Sequence, residues 1–218
     1  MVIHFFRNRS EERIDFFELV DNYFGTMDNC HISSTDEVVE LKLDYPEFNF
    51  SYQYLITKRT RVSSMYRLNS QFVNINLLVE IPPILPQYLI KVILVNMADL
   101  CNKFNLSIYY DTIDNITEFN MYDLLATLIK ERDNYLLNHS EIKKYYISSD
   151  KLNQIFKYQS KLDVLPSLIK ADVLAAPYMP MVNELSGNIE FSINYPVGQP
   201  FIFPQHQKSL LQSFSCFI

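Results

Sequence analysis

The sequence contains very little glycine: only Gly25, Gly187 and Gly198 in a chain of 218 residues. Glycine-rich loops that hold phosphate groups need several glycines within one short segment, because the backbone must come close to the phosphates. The three glycines here are far apart along the chain. The sequence therefore excludes a dinucleotide-binding fingerprint and a Walker-type phosphate loop.

Patterns of metal-binding and disulfide-forming residues are also missing. The three cysteines, Cys30, Cys101 and Cys216, are widely spaced and form no C-x-x-C pair. The four histidines have no second ligand at a spacing typical of a metal site: His4, His31, His139 and His206. We therefore expect no disulfide framework, no metal and no other cofactor. Cys101 lies in an apolar helical segment and is expected to be buried.

The chain has no excess of basic residues, because it contains 19 Lys and Arg residues and 25 Asp and Glu residues. Its formal net charge is -6. A nucleic-acid partner normally leaves a basic patch on the protein, so we expect none. The first residues show no apolar run of signal-peptide length before the charges begin. The longest apolar run, residues 88–95, contains Lys91 and is too short to span a membrane. We expect a cytoplasmic protein with no membrane partner.

Residues 72–110 carry the clearest pattern of secondary structure. Alternating side chains predict a strand over residues 72–80, which ends at the prolines of residues 82–86. Apolar residues at helical spacing predict a helix over residues 87–104, and residues 106–110 predict a second strand. A strand, a crossing helix and a strand form a βαβ-type unit.

The same periodicities predict the other elements. Alternation indicates an antiparallel pair of strands over residues 38–44 and 48–57, after a linker over residues 28–36. Ser10 is a suitable cap for a first helix. Three segments have helical spacing: 11–23, 117–138 and 149–158.

The predicted fold class is α+β, with a mixed, mainly antiparallel sheet that contains the βαβ-type unit and is backed by helices. Short strands at residues 189–194 and 201–203 predict a C-terminal β-hairpin. We predict an α+β domain over residues 1–160 and a proline-rich hairpin segment over residues 161–218 packed on it. The alternative is that the two ranges form one single domain.

The first candidate site follows the strand at residues 106–110 and consists of Tyr109, Tyr110, Asp111, Asp114 and Glu118. Ligands of open α/β sheets gather at the carboxyl ends of strands, where carboxylates can serve acid/base chemistry or bind a cation. The alternative is a turn at Asp111 and Asp114 followed by a helix cap. The pattern favours this alternative.

The second candidate site is a group of aromatic and methionine residues near the C-terminus: Tyr178, Met179, Met181, Phe191, Tyr195, Phe201 and Phe203. Such residues are enriched in the cores of protein interfaces. They would equally pack the interior of a glycine-poor hairpin. We select Tyr178, Tyr195 and Phe201 as candidate binding residues.

Three functions follow from these features. The first is a protein-interaction module, for example an immunity-type protein that neutralises a basic partner, because an acidic surface speeds capture of a basic protein. The second is an enzyme with dispersed acid/base residues around Asp111, Asp114 and His139. The third is a structural homo-oligomer joined through the C-terminal hairpin. The lack of every common catalytic motif favours the first.

Overall fold

The computed structural model of the protein describes residues 1–63, 65–110, 112, 115–141, 147–169, 173–193 and 200–202. Contacts divide the chain into two compact units, Met1–Ser140 and Glu141–Ile218. The boundary predicted at residue 160 falls inside the second unit.

A seven-stranded sheet forms the centre of the first unit. Its strands are β1 (Val2–Asn8), β2 (Cys30–Ser34), β3 (Val38–Tyr45), β4 (Phe50–Thr57), β5 (Phe72–Glu80), β6 (Leu106–Tyr110) and β7 (Thr117–Glu118). Their order across the sheet is β2-β3-β4-β5-β1-β6-β7, and each neighbouring pair is antiparallel. The predicted α+β class with a mainly antiparallel sheet is confirmed.

The predicted βαβ-type unit consists of β5, helix α2 and β6. β1 lies between β5 and β6 and is antiparallel to both, so β5 and β6 run in the same direction. Helix α2 spans Gln87–Phe104 and buries eight residues: Leu89, Ile90, Ile93, Leu94, Met97, Leu100, Cys101 and Phe104. It ends at Asn105, which adopts the left-handed conformation that asparagine tolerates (φ 52°). The helix is therefore the central element packed on one face of the sheet.

The N-terminal segment differs from its prediction. A helix was expected over residues 11–23 with Ser10 as its cap, but helix α1 spans only Phe16–Val20. The carboxylate of Asp15, not Ser10, caps this helix by accepting a hydrogen bond of 3.0 Å from the N–H of Phe17. The prediction was wrong because first-turn carboxylates and a few apolar residues do not specify a long helix without a continuous apolar stripe.

Strand β1 was not predicted, although four of its seven residues are buried. Ile3, Phe5 and Phe6 are fully buried. Consecutive apolar residues are typical of a strand that is covered on both faces, but so short a run shows no period that separates strand from helix. The position of β1 between β5 and β6 arises from pairing with residues that are distant in sequence.

Strand β5 contains an irregularity opposite β1. Leu78 pairs with His4 and Asn74 pairs with Phe6, so β5 has two more residues than β1 between these pairs. Asn76 takes a left-handed conformation there (φ 59°), and its N–H donates a hydrogen bond of 2.7 Å to Oδ1 of Asn74. Because two extra residues preserve the alternation of side chains, the sequence pattern over residues 72–80 resembles that of a regular strand.

The face of the sheet opposite α2 is covered in part by the connection between β4 and β5. Phe6, Val62 and Tyr109 form a buried cluster there. Four half-buried residues pack against this cluster: Met65, Leu68, Phe72 and Ile116. The basic residues of the same connection, such as Arg61 and Arg67, remain exposed. The first unit therefore has apolar packing on both faces of the sheet.

Helix α3 spans Met121–Asn138 and packs on α2. It begins later than predicted, because Thr117–Glu118 pair with β6 as strand β7. The side-chain oxygen of Asn120 caps it by accepting hydrogen bonds from the N–H groups of Tyr122 (3.0 Å) and Asp123 (3.3 Å).

The second unit contains short helices and strands: α4 (Ser149–Gln159), α5 (Leu165–Ile169), β8 (Leu174–Ala175), β9 (Met179–Val182), β10 (Ile189–Ser192) and β11 (Phe201–Ile202). Strands β9 and β10 form an antiparallel pair, which confirms the C-terminal hairpin. The pairing differs from the prediction, since β11 pairs in parallel with β8 and not with β10. Gly187, with φ 68°, lies between β9 and β10, in a conformation that suits glycine.

Candidate functional site

The residues of the first candidate site are divided between core and edge. Tyr109 and Tyr110 are buried in β6, and the ring of Tyr109 meets that of Phe6 edge-on, with centroids 6.0 Å apart. Glu118 is exposed in the edge strand β7. Asp111 and Asp114 lie outside the described residues. The acid/base role suggested for these two carboxylates therefore stays a prediction.

Tyr178 of the second candidate site lies in an aromatic cluster. Its ring centroid is 5.3 Å from that of Tyr158 and 5.9 Å from that of Phe191. The hydroxyl of Tyr158 donates a hydrogen bond of 3.2 Å to the carbonyl oxygen of Ala176. Burial raises the pKa of both tyrosines above the ordinary value of a phenol. Tyr178 therefore contributes to the packing of the second unit.

The remaining residues of that site have different environments. Phe201 is half-buried and pairs with Leu174. Tyr195 and Phe203 lie outside the described residues. Met179 and Met181 are exposed on β9.

The hairpin carries four exposed apolar side chains, which together we call the hairpin surface: Met179, Met181, Val182 and Leu185. Met181 is 52% exposed and Leu185 is completely exposed, at 101%. In the described part of the chain, β9 pairs with β10 alone. Exposed apolar residues on an edge strand are typical of a contact surface or of an aggregation site.

A second surface lies at the edge strand β2. We call it the acidic edge and define it by five carboxylates: Asp28, Asp36, Glu37, Glu40 and Asp44. β2 is the outer strand at one edge of the sheet, and its residues after Cys30 are exposed. The sequence predicts a linker over this region, but the structure has a strand here. The period-2 pattern of β3 and the polar turn before it are the signals that could have indicated a hairpin here.

Basic side chains neutralise only part of the acidic edge. Nζ of Lys42 lies 2.9 Å from Oδ1 of Asp44, and Nζ of Lys58 lies 3.7 Å from Oε1 of Glu37. Nε2 of His31 is 3.5 Å from Oδ2 of Asp44. Five carboxylates against two lysines leave a formal charge of about -3 when the histidine is neutral. Exposed ion pairs of this kind contribute little to the stability of the fold. The net negative charge of the acidic edge is available to attract an approaching partner.

The two units differ in formal charge. Met1–Ser140 holds 19 of the 25 acidic and 12 of the 19 basic residues, so its formal charge is -7. Glu141–Ile218 holds the other 6 acidic and 7 basic residues, a charge of +1. The negative charge of the protein therefore belongs to the first unit.

A third feature is a concave groove of about 540 Å³ between the sheet and the segment that precedes α1. Three arginines line it, and we call it the arginine groove: Arg7, Arg9 and Arg13. Its apolar lining includes Phe16, Ile56 and Val73. No local sequence pattern indicates the groove, because its walls come from three segments that are distant in sequence.

Within the described ranges, the structure has no group of three or more His, Cys, Asp or Glu side chains placed to hold a metal ion. None of the described helices is both long enough and apolar enough to cross a membrane. Comparison of the chain with protein-family models, curated proteins and solved structures finds no match.

Proposed function

We propose that the protein is a cytoplasmic protein-interaction module that captures a basic partner protein, in the manner of an immunity-type protein that neutralises its target. The observation that supports this function is the acidic edge, where an exposed outer strand lies among five carboxylates, two of which pair with lysines. The charge of -7 on Met1–Ser140 acts in the same direction. A long-range negative potential speeds the encounter with a positively charged protein.

The outer strand gives the proposed partner a defined way to bind. In the described part of the sheet, β2 pairs only with β3, so its other side offers backbone N–H and C=O groups. An extended segment can add to such an edge as a further strand. A basic segment would combine these backbone hydrogen bonds with attraction to the carboxylates on both sides of the strand. We propose this extended, basic segment as the occupant of the acidic edge.

Affinity capture from the native host, followed by purification of the captured protein, provides the partner for a kinetic test. The variant is Asp28→Asn combined with Asp36→Asn, because both carboxylates are exposed and form no ion pair within the described residues. We expect the association rate to fall by about threefold to tenfold at low salt, with a weaker salt dependence and little change in dissociation.

The matched control is Asp163→Asn combined with Glu184→Gln, which removes the same charge from exposed positions of the second unit. This control should leave the association rate almost unchanged. Equal effects of the two double variants would contradict a role of the acidic edge. A captured partner without a basic surface would contradict the proposed function itself.

The hairpin surface supports a second candidate function, self-association of the chain. Exposed apolar residues on an edge strand can be buried against a second copy. If they are, Met181→Lys should convert a dimer to a monomer in light scattering after gel filtration. Leu137→Lys, at another exposed leucine in the first unit, is the control. A monomeric wild-type protein would exclude this candidate.

A further inference from the structure

The arginine groove shares no residue with the acidic edge or the hairpin surface, and its volume of about 540 Å³ suits a small ligand. Sites for small molecules usually enclose about 300–1,000 Å³ and combine apolar walls with a few polar groups. The sheet contributes Ile56 and Val73 to the lining, and the segment before and within α1 contributes Phe16. Val73 is 40% exposed and Phe16 is 53% exposed, so the groove presents apolar surface that a ligand can bury.

The position of Arg7 is fixed by the surrounding structure. Its Nε atom lies 3.4 Å from Oε2 of Glu11, and its side chain is largely buried. Glu11 in turn accepts a hydrogen bond from the side-chain amide of Asn105 at the end of α2. This chain of contacts neutralises Arg7 and connects the segment before α1 to the helix. The groove is therefore a built part of the first unit.

Arg9 and Arg13 differ from Arg7, because both are exposed and neither forms an ion pair within the described residues. The carboxylates that line the groove are Glu11, which Arg7 engages, and Glu12, which is exposed. Three arginines against these two carboxylates give the groove a positive balance in a unit whose charge is -7. An anionic group at the rim would therefore find two guanidinium groups that can pair with it.

We propose that the arginine groove binds a soluble amphiphile with one apolar chain and a carboxylate head group. The apolar chain lies along Ile56, Val73 and Phe16, and the carboxylate accepts hydrogen bonds from Arg9 and Arg13. The apolar walls explain why a small inorganic anion would not fill the site. Because the rim is positive, we expect a neutral or cationic chain of the same length to bind less tightly.

The test is isothermal titration of the full chain with dodecanoate below its micelle concentration. We expect saturable binding at one site, with at least about tenfold weaker binding in the double variant Arg9→Gln and Arg13→Gln, a loss typical of charge-assisted hydrogen bonds. The matched control is Arg59→Gln with Arg67→Gln, which removes the same charge from exposed positions outside the groove. This control should bind dodecanoate as the wild type does.

A second variant tests the apolar wall. Val73→Asp places a negative charge on the floor of the groove and should abolish binding, while an unchanged melting temperature shows that the fold is retained. Absence of saturable binding to the wild type, or an equal loss in the two arginine double variants, overturns the proposal. Binding of dodecyltrimethylammonium as tight as that of dodecanoate also overturns it. Tighter binding of a glutamate-rich peptide would assign the groove to an acidic protein segment instead.

Discussion

The side-chain amide nitrogen of Asn96 donates a hydrogen bond of 2.7 Å to the hydroxyl oxygen of Tyr52, and this contact fastens α2 to the sheet at β4. The same nitrogen donates a hydrogen bond of 2.7 Å to the hydroxyl of Tyr45. Burial raises the pKa of Tyr52 far above that of an exposed phenol, and the nearby Tyr45 adds a smaller increase. Tyr54 lies two residues further along the strand, and its buried hydroxyl has no hydrogen-bond partner within the described structure.

The difference between the two hydroxyls predicts opposite effects of the same substitution. Tyr52→Phe should lower the free energy of unfolding by about 1 kcal/mol, because it leaves an N–H of the half-buried Asn96 amide without its acceptor. Tyr54→Phe should leave that free energy unchanged or raise it, because it removes a buried hydroxyl that makes no hydrogen bond of standard geometry to the described residues. Urea denaturation of the two variants measures both values. A larger loss in Tyr54→Phe than in Tyr52→Phe would show that the hydroxyl of Tyr54 has a partner, such as a buried water.

A second prediction concerns the buried face of α2. Ile93 is 0% exposed, so Ile93→Asp should lower the free energy of unfolding by about 3 kcal/mol or more, through lost apolar contacts and a buried carboxylate. Val95 lies in the same helix but is 48% exposed. Val95→Asp should cost less than about 1 kcal/mol, since aspartate and valine have similar helix propensities. Equal melting temperatures for the two variants would contradict the packing of α2.

The success of the sequence prediction for α2 and its failure for β1 have one physical origin. An amphipathic helix of 18 residues shows its period within its own sequence, and polar and apolar residues alternate along β3. Val2–Asn8 is buried on both faces, so no alternation marks it as a strand, and its neighbours β5 and β6 are distant in sequence. The type of an element could therefore be predicted where one of its faces is exposed to solvent, because its own sequence then shows a period. The order of the strands could not.

The surfaces were harder to predict than the core. The acidic edge depends on β2, which was interpreted as a linker because its short, polar sequence has no strong β propensity. The arginine groove needs residues of β1, β4, β5 and the segment before α1 to meet. Tyr109 and Tyr110 were selected as binding residues from their place at a strand end, but the structure places both in the interior. A residue's exposure depends on contacts that no local pattern shows.

A third prediction concerns stability at alkaline pH. Burial raises the pKa of the Cys101 thiol to about 12 from an ordinary value near 9. Below pH 9 the thiol is protonated in both states and contributes no pH dependence. Between about pH 9 and 12 the unfolded chain loses the proton first, so the free energy of unfolding falls by up to about 1.4 kcal/mol per pH unit.

The variant Cys101→Ala isolates this effect, because the tyrosines and lysines that also titrate are common to both proteins. Its free energy of unfolding should fall less steeply than that of the wild type above pH 9, as measured by urea denaturation at a series of pH values. The two slopes should coincide below pH 9. Parallel curves at every pH would show that Cys101 is not buried as the structure has it.

The last prediction is that the fold needs no bound metal. Two of the histidines have contacts within the first unit: His31 lies 3.5 Å from the Asp44 carboxylate, and the ring of His139 stacks on Tyr135 with centroids 3.9 Å apart. The apolar packing on both faces of the sheet supplies the stabilising interactions of this unit. Dialysis against a strong chelator should therefore leave the far-UV circular dichroism and the melting temperature unchanged. Adding zinc back should not raise the melting temperature, because a ligand stabilises a protein only if it binds the native state more tightly than the unfolded chain. A large fall on chelation, reversed by one particular metal, would instead show that binding of that metal is coupled to folding.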